Sequence, residues 1–200
     1  MTRLFTLLLA GCILTSCASG YHTIAPNQIN YSSTTSNNEI EFSYKYDVLH
    51  ERGNKKYAKK ESKKGIKLVA VKVVNNSGKP FIFGKDMYVY SGNMPVTLLE
   101  SAHVHRELKQ NVPIYLLYLL MTPAKLTTTS SDGSSSSIPF GLVLGPGITA
   151  INMGVSGSAN TKFKRELTAN ILNDRQINPG ETVYGFIGIA DSGYNVLTLK

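Results

Sequence analysis

The chain contains no tryptophan and only two cysteines, Cys12 and Cys17, both within its first seventeen residues. The 183 residues that follow therefore hold no disulfide, and any fold they adopt rests on its own core. A chain of 200 residues is long enough for one domain with a sizeable core. Its 42% hydrophobic content excludes a disordered polymer. Long apolar runs are also missing. Val112–Met121 is ten residues, and the apolar stretch 140–155 is broken by Gly141, Gly145, Gly147 and Gly154. Neither meets the roughly 20 residues of a spanning helix. Signatures of chemistry are absent too. Gly154-Val155-Ser156-Gly157 lacks the spacing of a nucleophile elbow. No Lys-Ser/Thr follows Gly141 to Gly147, so no phosphate loop is formed. His103 and His105, with Glu100 and Glu107 nearby, lie on an expected helix, where positions i and i+2 point about 200° apart, and no cysteine or third histidine stands at ligand spacing. The carboxylates form no pair suited to acid–base work. The expectation is a protein with no catalytic residue, no metal and no cofactor.

What is present begins with an export pattern. Arg3 is followed by an uncharged run, 4–14, rich in Leu, Phe and Ile, and then by small Thr15 and Ser16. This is the layout of a secretion signal. Leu14-Thr15-Ser16-Cys17 resembles the lipobox of bacterial lipoproteins. That resemblance implies cleavage before Cys17 and a lipid, palmitate included, on the cysteine. It further implies anchoring in the cell envelope. Ala18 rather than Asp after the cysteine implies sorting to the outer membrane, facing the periplasm. Leu9-Ala10-Gly11-Cys12 fits the same pattern, so Cys12 is the alternative. Cleavage before Cys12 would shorten the apolar run and leave Cys17 an unpaired thiol in an oxidising compartment. Cleavage before Cys17 leaves no thiol at all.

Residues 1–16 are thus read as signal peptide, 17–38 as the lipidated cysteine and a flexible polar tether, and 39–200 as a single β-rich domain. In 39–48, Ile40, Phe42, Tyr44, Tyr46 and Val48 alternate with polar residues, the pattern of a half-buried strand. Residues 66–74 form a second, more apolar strand. Asn75 to Pro80 is a turn, and 81–90 a third strand bent at Gly84. Eleven tyrosines suit such a β-rich exported domain. Residues 69–80, Val-Ala-Val-Lys-Val-Val-Asn-Asn-Ser-Gly-Lys-Pro, resemble the second strand and turn of small immunoglobulin-like domains of exported bacterial proteins. Asn178-Pro179-Gly180-Glu181 introduces strand 182–190, and Asp191-Ser192-Gly193 a last strand, 194–199. Between them, about 94–173, lie a polar helix at 100–110, the two apolar runs, a mobile Ser/Thr-rich loop at 126–138 and a helix at 160–172. The expected fold class is α+β: an antiparallel immunoglobulin-like β-sandwich with an α-helical insertion between its third and fourth strands.

Charge is concentrated. Arg52, Lys55, Lys56, Lys59, Lys60, Lys63, Lys64 and Lys67 face one acid, Glu61, giving this run a net charge of +7. Loss of 1–16 removes only Arg3 from a chain of net charge +8, so the rest of the mature protein is neutral. On a lipid-anchored protein, the matching partners are anionic lipid or lipopolysaccharide head groups, at about 1 kcal/mol per basic residue near the surface. Nucleic acid does not fit, because only Tyr57 interleaves the run. A protein partner for the helical insert completes the expected set, alongside the membrane reached through the N-terminal lipid.

Overall fold

The structure, a computed structural model, describes residues 18–36, 39–191 and 193–200. The signal segment with Cys12, and Cys17 itself, lie outside the described residues. In chain order the elements are β1 (Ser33–Ser36), β2 (Ile40–Lys45), α1 (Val48–Glu51), α2 (Lys55–Lys64), β3 (Ile66–Asn75), β4 (Phe81–Ile82), β5 (Val89–Ser91), β6 (Met94–Pro95), β7 (Leu98–Leu99) and α3 (Ser101–Leu108). There follow a 3₁₀ helix (Val112–Met121), β8 (Leu126–Thr129), β9 (Ser135–Ile138), α4 (Gly141–Asn170), β10 (Gln176–Ile177), β11 (Thr182–Ala190) and β12 (Leu197–Leu199). The chain divides into two compact units. The body comprises 21–109 and 160–200; the insert comprises 110–159 together with 18–20 among the described residues.

The body is mixed α/β with antiparallel sheets. Its main sheet runs β1-β2-β3-β11-β7, and a smaller one runs β12-β5-β6. β3 is central, pairing Val73 with Phe42 of β2 and Val69 with Ile187 of β11. Its nearly continuous apolar run suits a strand covered on both faces. Val69, Val71 and Val73 enter a core that also takes Val89, Leu197 and Leu199 from the smaller sheet. Leu68 and Ala70 are buried on the opposite side of the pleat, and α1 and α2 contact the strand. A second cluster joins Tyr21, Tyr57 of α2 and Phe163 of α4, with ring centroids 4.8–5.4 Å apart.

Several expectations need correction. Residues 18–36 are not a free tether. Tyr21, Ile24 and Pro26 are buried, and β1 pairs with β2. The Asn54 side chain accepts the His22 N–H and donates to the His22 carbonyl. Polar composition concealed Tyr21, Ile24 and Pro26, whose burial offsets the ordering entropy. The strand expected at 81–90 is split into β4 and β5 by a turn in which Gly84 takes φ 85°. The basic run 52–67 holds α2 and its flanks. The loop at 126–138 is a hairpin, β8–β9, turning through Asp132 and Gly133, the latter at φ 83°. The insert is also shorter than 94–173, because α3 and the end of α4 belong to the body.

Candidate functional site

The insert departs furthest from the rules of a water-soluble fold. Its 3₁₀ helix is Val-Pro-Ile-Tyr-Leu-Leu-Tyr-Leu-Leu-Met, and only Tyr115 is buried. Ile114, Leu116, Leu117, Leu119 and Leu120 are exposed, Leu120 by 75%. A helix apolar all round normally lies inside a core or a membrane. In the part of α4 within the insert, the buried positions are Gly141, Gly145, Thr149, Asn152, Ser156 and Ala159. Their spacing of three and four defines one helical stripe. The exposed positions include Leu142, Val143, Leu144, Ile151 and Val155, Val143 by 75%. Small and polar residues face inward, and large apolar ones face out.

The inner stripe works by size and by self-satisfaction. A side chain on Gly141 would collide with the Met121 carbonyl oxygen, and one on Gly145 with the Thr122 hydroxyl. The two glycines thus let α4 lie close against the end of the 3₁₀ helix, as small residues do between membrane helices. Thr149 Oγ1 donates to the Gly145 carbonyl at 2.8 Å and lies 3.2 Å from that of Tyr115. Asn152 Nδ2 donates to the Ile148 carbonyl, and Ser156 Oγ to the Asn152 carbonyl, at 2.9 and 2.7 Å. These bonds satisfy polar side chains within their own helix. Pro146 lies inside α4, a placement that costs about 3 kcal/mol in an aqueous helix.

The chain enters this unit at once. The N–H of Ala18, the residue after Cys17, donates to Asn152 Oδ1 at 2.6 Å. Gln110 accepts the Ser19 N–H at 3.3 Å and donates to the Ser19 carbonyl at 2.7 Å. Further on, in the body, the Glu166 carboxylate receives the Ile24 and Ala25 N–H groups and the Tyr21 hydroxyl, all within 3.2 Å. Ala25 takes a left-handed φ of 51° there. Burial and the facing Glu166 push the Tyr21 phenol pKa up.

The basic run is partly dispersed. Lys55, Lys59 and Lys63 are exposed at i, i+4 and i+8 of α2 and form one face. Arg52 is exposed at the end of α1, and Lys56 is half-buried. Lys60 donates to the Lys109 carbonyl, and Lys64 pairs with Glu107 at 2.9 Å. Lys67 is buried, its ammonium 4.0 Å above the Tyr194 ring. It therefore does not belong to a surface patch. A shallow cavity of about 460 Å³ is lined by Lys55 and Lys59 with Asp47, His50, Ser62 and Tyr194. Beneath the helix, Glu61 is buried and accepts the Leu68 N–H at 2.7 Å. Burial pushes its pKa up to about 7, against the opposing pull of that hydrogen bond and of Lys67. A second cavity, about 400 Å³, carries Glu100 and Asp174 on its wall beside Tyr88, Val96, Leu98 and Asn173.

His103 Nδ1 lies 2.8 Å from Arg106, and His105 Nε2 lies 3.2 Å from the Asn160 carbonyl, so the two imidazoles are engaged separately. Among the described residues, no group of three His, Cys, Asp or Glu side chains is placed to hold a metal ion. No helix among them is long and apolar enough to cross a membrane. Sequence reasoning missed Glu61 and Glu166, which carry no motif. It also missed the inverted stripe, although the spacing of Gly141, Gly145, Thr149, Asn152 and Ser156 was there to read. Comparison of the chain with protein-family models, with curated proteins and with solved structures finds no match.

Proposed function

We propose that this chain is a lipid-anchored protein of the bacterial cell envelope, acylated on Cys17, facing the periplasm from the outer membrane. Its role is binding or structural rather than catalytic, and its insert is the binding surface. The observation that carries this reading is the set of exposed large apolar side chains on 112–121 and 142–155, in the unit that also holds Ala18. Soluble proteins seldom expose apolar patches beyond several hundred Å², and those that do use them for association. The body is read as an immunoglobulin-like sandwich. Support comes from two antiparallel sheets that share one core and from the pairing of an early strand, β3, with a late one, β11. The face of Lys55, Lys59 and Lys63 suits anionic lipid or lipopolysaccharide head groups.

Metabolic labelling with a palmitate analogue, followed by membrane fractionation, tests the anchor. Cys17→Ser should abolish the label and release the protein from membranes, while Cys12→Ser should leave both intact. The reverse pattern would move the anchor to Cys12. Absence of label from the unaltered chain would end the lipoprotein reading.

A further inference from the structure

We propose that the outer surfaces of residues 112–121 and 142–155 are seated in the interfacial layer of a lipid bilayer, with their leucines, isoleucines and valines among the acyl chains. This deepens the lipid-anchored reading, and rests on it, by naming lipid as the occupant of the insert's surface.

The first argument is inversion. Water drives large apolar side chains inward, because each fully buried Leu, Ile or Val is favoured by about 1.5–3 kcal/mol. In the insert, Leu117, Leu120, Leu142, Val143 and Ile151 lie outside, and Gly141, Gly145, Thr149, Asn152 and Ser156 lie inside. A surrounding medium as apolar as leucine removes the penalty and leaves small-residue packing as the organising contact. The second argument is charge: residues 110–159 contain only Lys125 and Asp132.

Two further points select lipid over a second copy of the chain. The 3₁₀ helix exposes leucines on more than one side, with only Tyr115 covered. A rigid partner covers one side of a helix, whereas fluid acyl chains cover all of them. Continuity with the anchor is the other. Ala18 follows the proposed acylation site in the chain and is bonded to Asn152 of the insert. No helix among the described residues is both long and apolar enough to cross a membrane, which fits an interfacial seat.

The absence of tryptophan provides the probe. Leu120→Trp and Val143→Trp replace exposed residues, and Lys162→Trp marks an exposed position of α4 in the body. Each acylated protein is reconstituted into liposomes with or without lipids brominated along the acyl chain. Tryptophan at 120 and at 143 should emit to the blue and be quenched by the brominated lipid. Tryptophan at 162 should instead be quenched by aqueous iodide. Iodide quenching at 120 and 143 on liposome-bound protein overturns the proposal. So does shielding from both quenchers, which would mark a second copy on this surface. Intact mass read on the same samples separates the two claims. Missing acyl groups end the lipoprotein reading, while the quenching pattern still decides where the insert lies.

Discussion

The two ends of α4 obey opposite rules. From Gly141 to Ala159 the buried positions are small or polar and the exposed ones include Leu142, Val143, Leu144, Ile151 and Val155. From Asn160 to Asn170 the buried side chains include Phe163 and Leu167, while Lys162, Lys164 and Arg165 are exposed. The periodicity runs through without interruption, so it sets helix geometry in both halves. What changes is the partition of apolar side chains, and partition reports the surrounding medium rather than secondary structure. The body is built for water and the insert is built for something less polar.

The strongest way to break this contrast is to truncate large apolar residues in both units. Phe42→Ala removes a fully buried ring from the core of the body and should cost about 3–5 kcal/mol. Leu120→Ala removes a side chain that is 75% exposed, and unfolding in denaturant should change by about 0.5 kcal/mol or less. Comparable losses in the two variants would show that the insert's leucines belong to a core after all.

Glu61 sharpens the contrast by way of pH. The body buries an acid whose pKa burial raises to about 7, whereas the insert buries only neutral polar groups. Between the ordinary carboxylate pKa and about 7, the folded chain binds a proton that the unfolded chain has released. Stability from this group is therefore fully present at acid pH and lost as pH rises through 7, a fall on the order of 3 kcal/mol. Glu61→Gln keeps an acceptor for the Leu68 N–H and removes the charge. Its unfolding midpoint should stay level from pH 5 to pH 8 while that of the parent declines. A parent that is equally stable at both pH values would place the Glu61 carboxyl in contact with solvent.

Glu166 tests how firmly the segment after the anchor is held. Glu166→Ala leaves the Ile24 and Ala25 N–H groups and the Tyr21 hydroxyl without their acceptor, at a cost of about 2 kcal/mol. Hydrogen exchange at Ile24 and Ala25 should accelerate well beyond that at β3. Unchanged protection would mean that apolar packing of Tyr21 and Ile24 alone holds the segment.

These tests also trace what could be read from the sequence. The alternation of Ile40, Phe42 and Tyr44 and the dense run of β3 announced their strands, because burial on a pleat has a period of two. The turn at 178–181 marked the start of the late strand β11, though not its pairing with β3. The segment 18–36 was misread because its order depends on Glu166, more than a hundred residues away, and on an aromatic cluster no local pattern encodes. The extent of the basic patch was misread for a related reason. Lys60, Lys64 and Lys67 lie in the same charged run as Lys55 and Lys59, yet tertiary contacts with Lys109, Glu107 and Tyr194 engage them. In the insert, both apolar runs were visible, but which face each residue takes was not. Periodicity locates a stripe without saying whether the stripe is the inside or the outside.

The smallest expected effect bears on that last ambiguity. If the inner stripe of the insert is selected for size, its polarity is nearly idle. Ser156 is fully buried and its hydroxyl donates to the Asn152 carbonyl, an oxygen that the helix backbone already satisfies. Ser156→Ala should therefore shift unfolding by about 0.5 kcal/mol or less, and in the stabilising direction as readily as the other. Ser156→Leu keeps the position apolar but adds bulk to a closely packed stripe, so it should destabilise the insert. The pair is read by circular dichroism of the acylated protein in liposomes through a denaturant series. A neutral alanine beside a damaging leucine would establish that the inner face is chosen for small volume. A damaging alanine would instead establish that the hydroxyl itself is needed, and the likeness to packing between membrane helices would fail at this position.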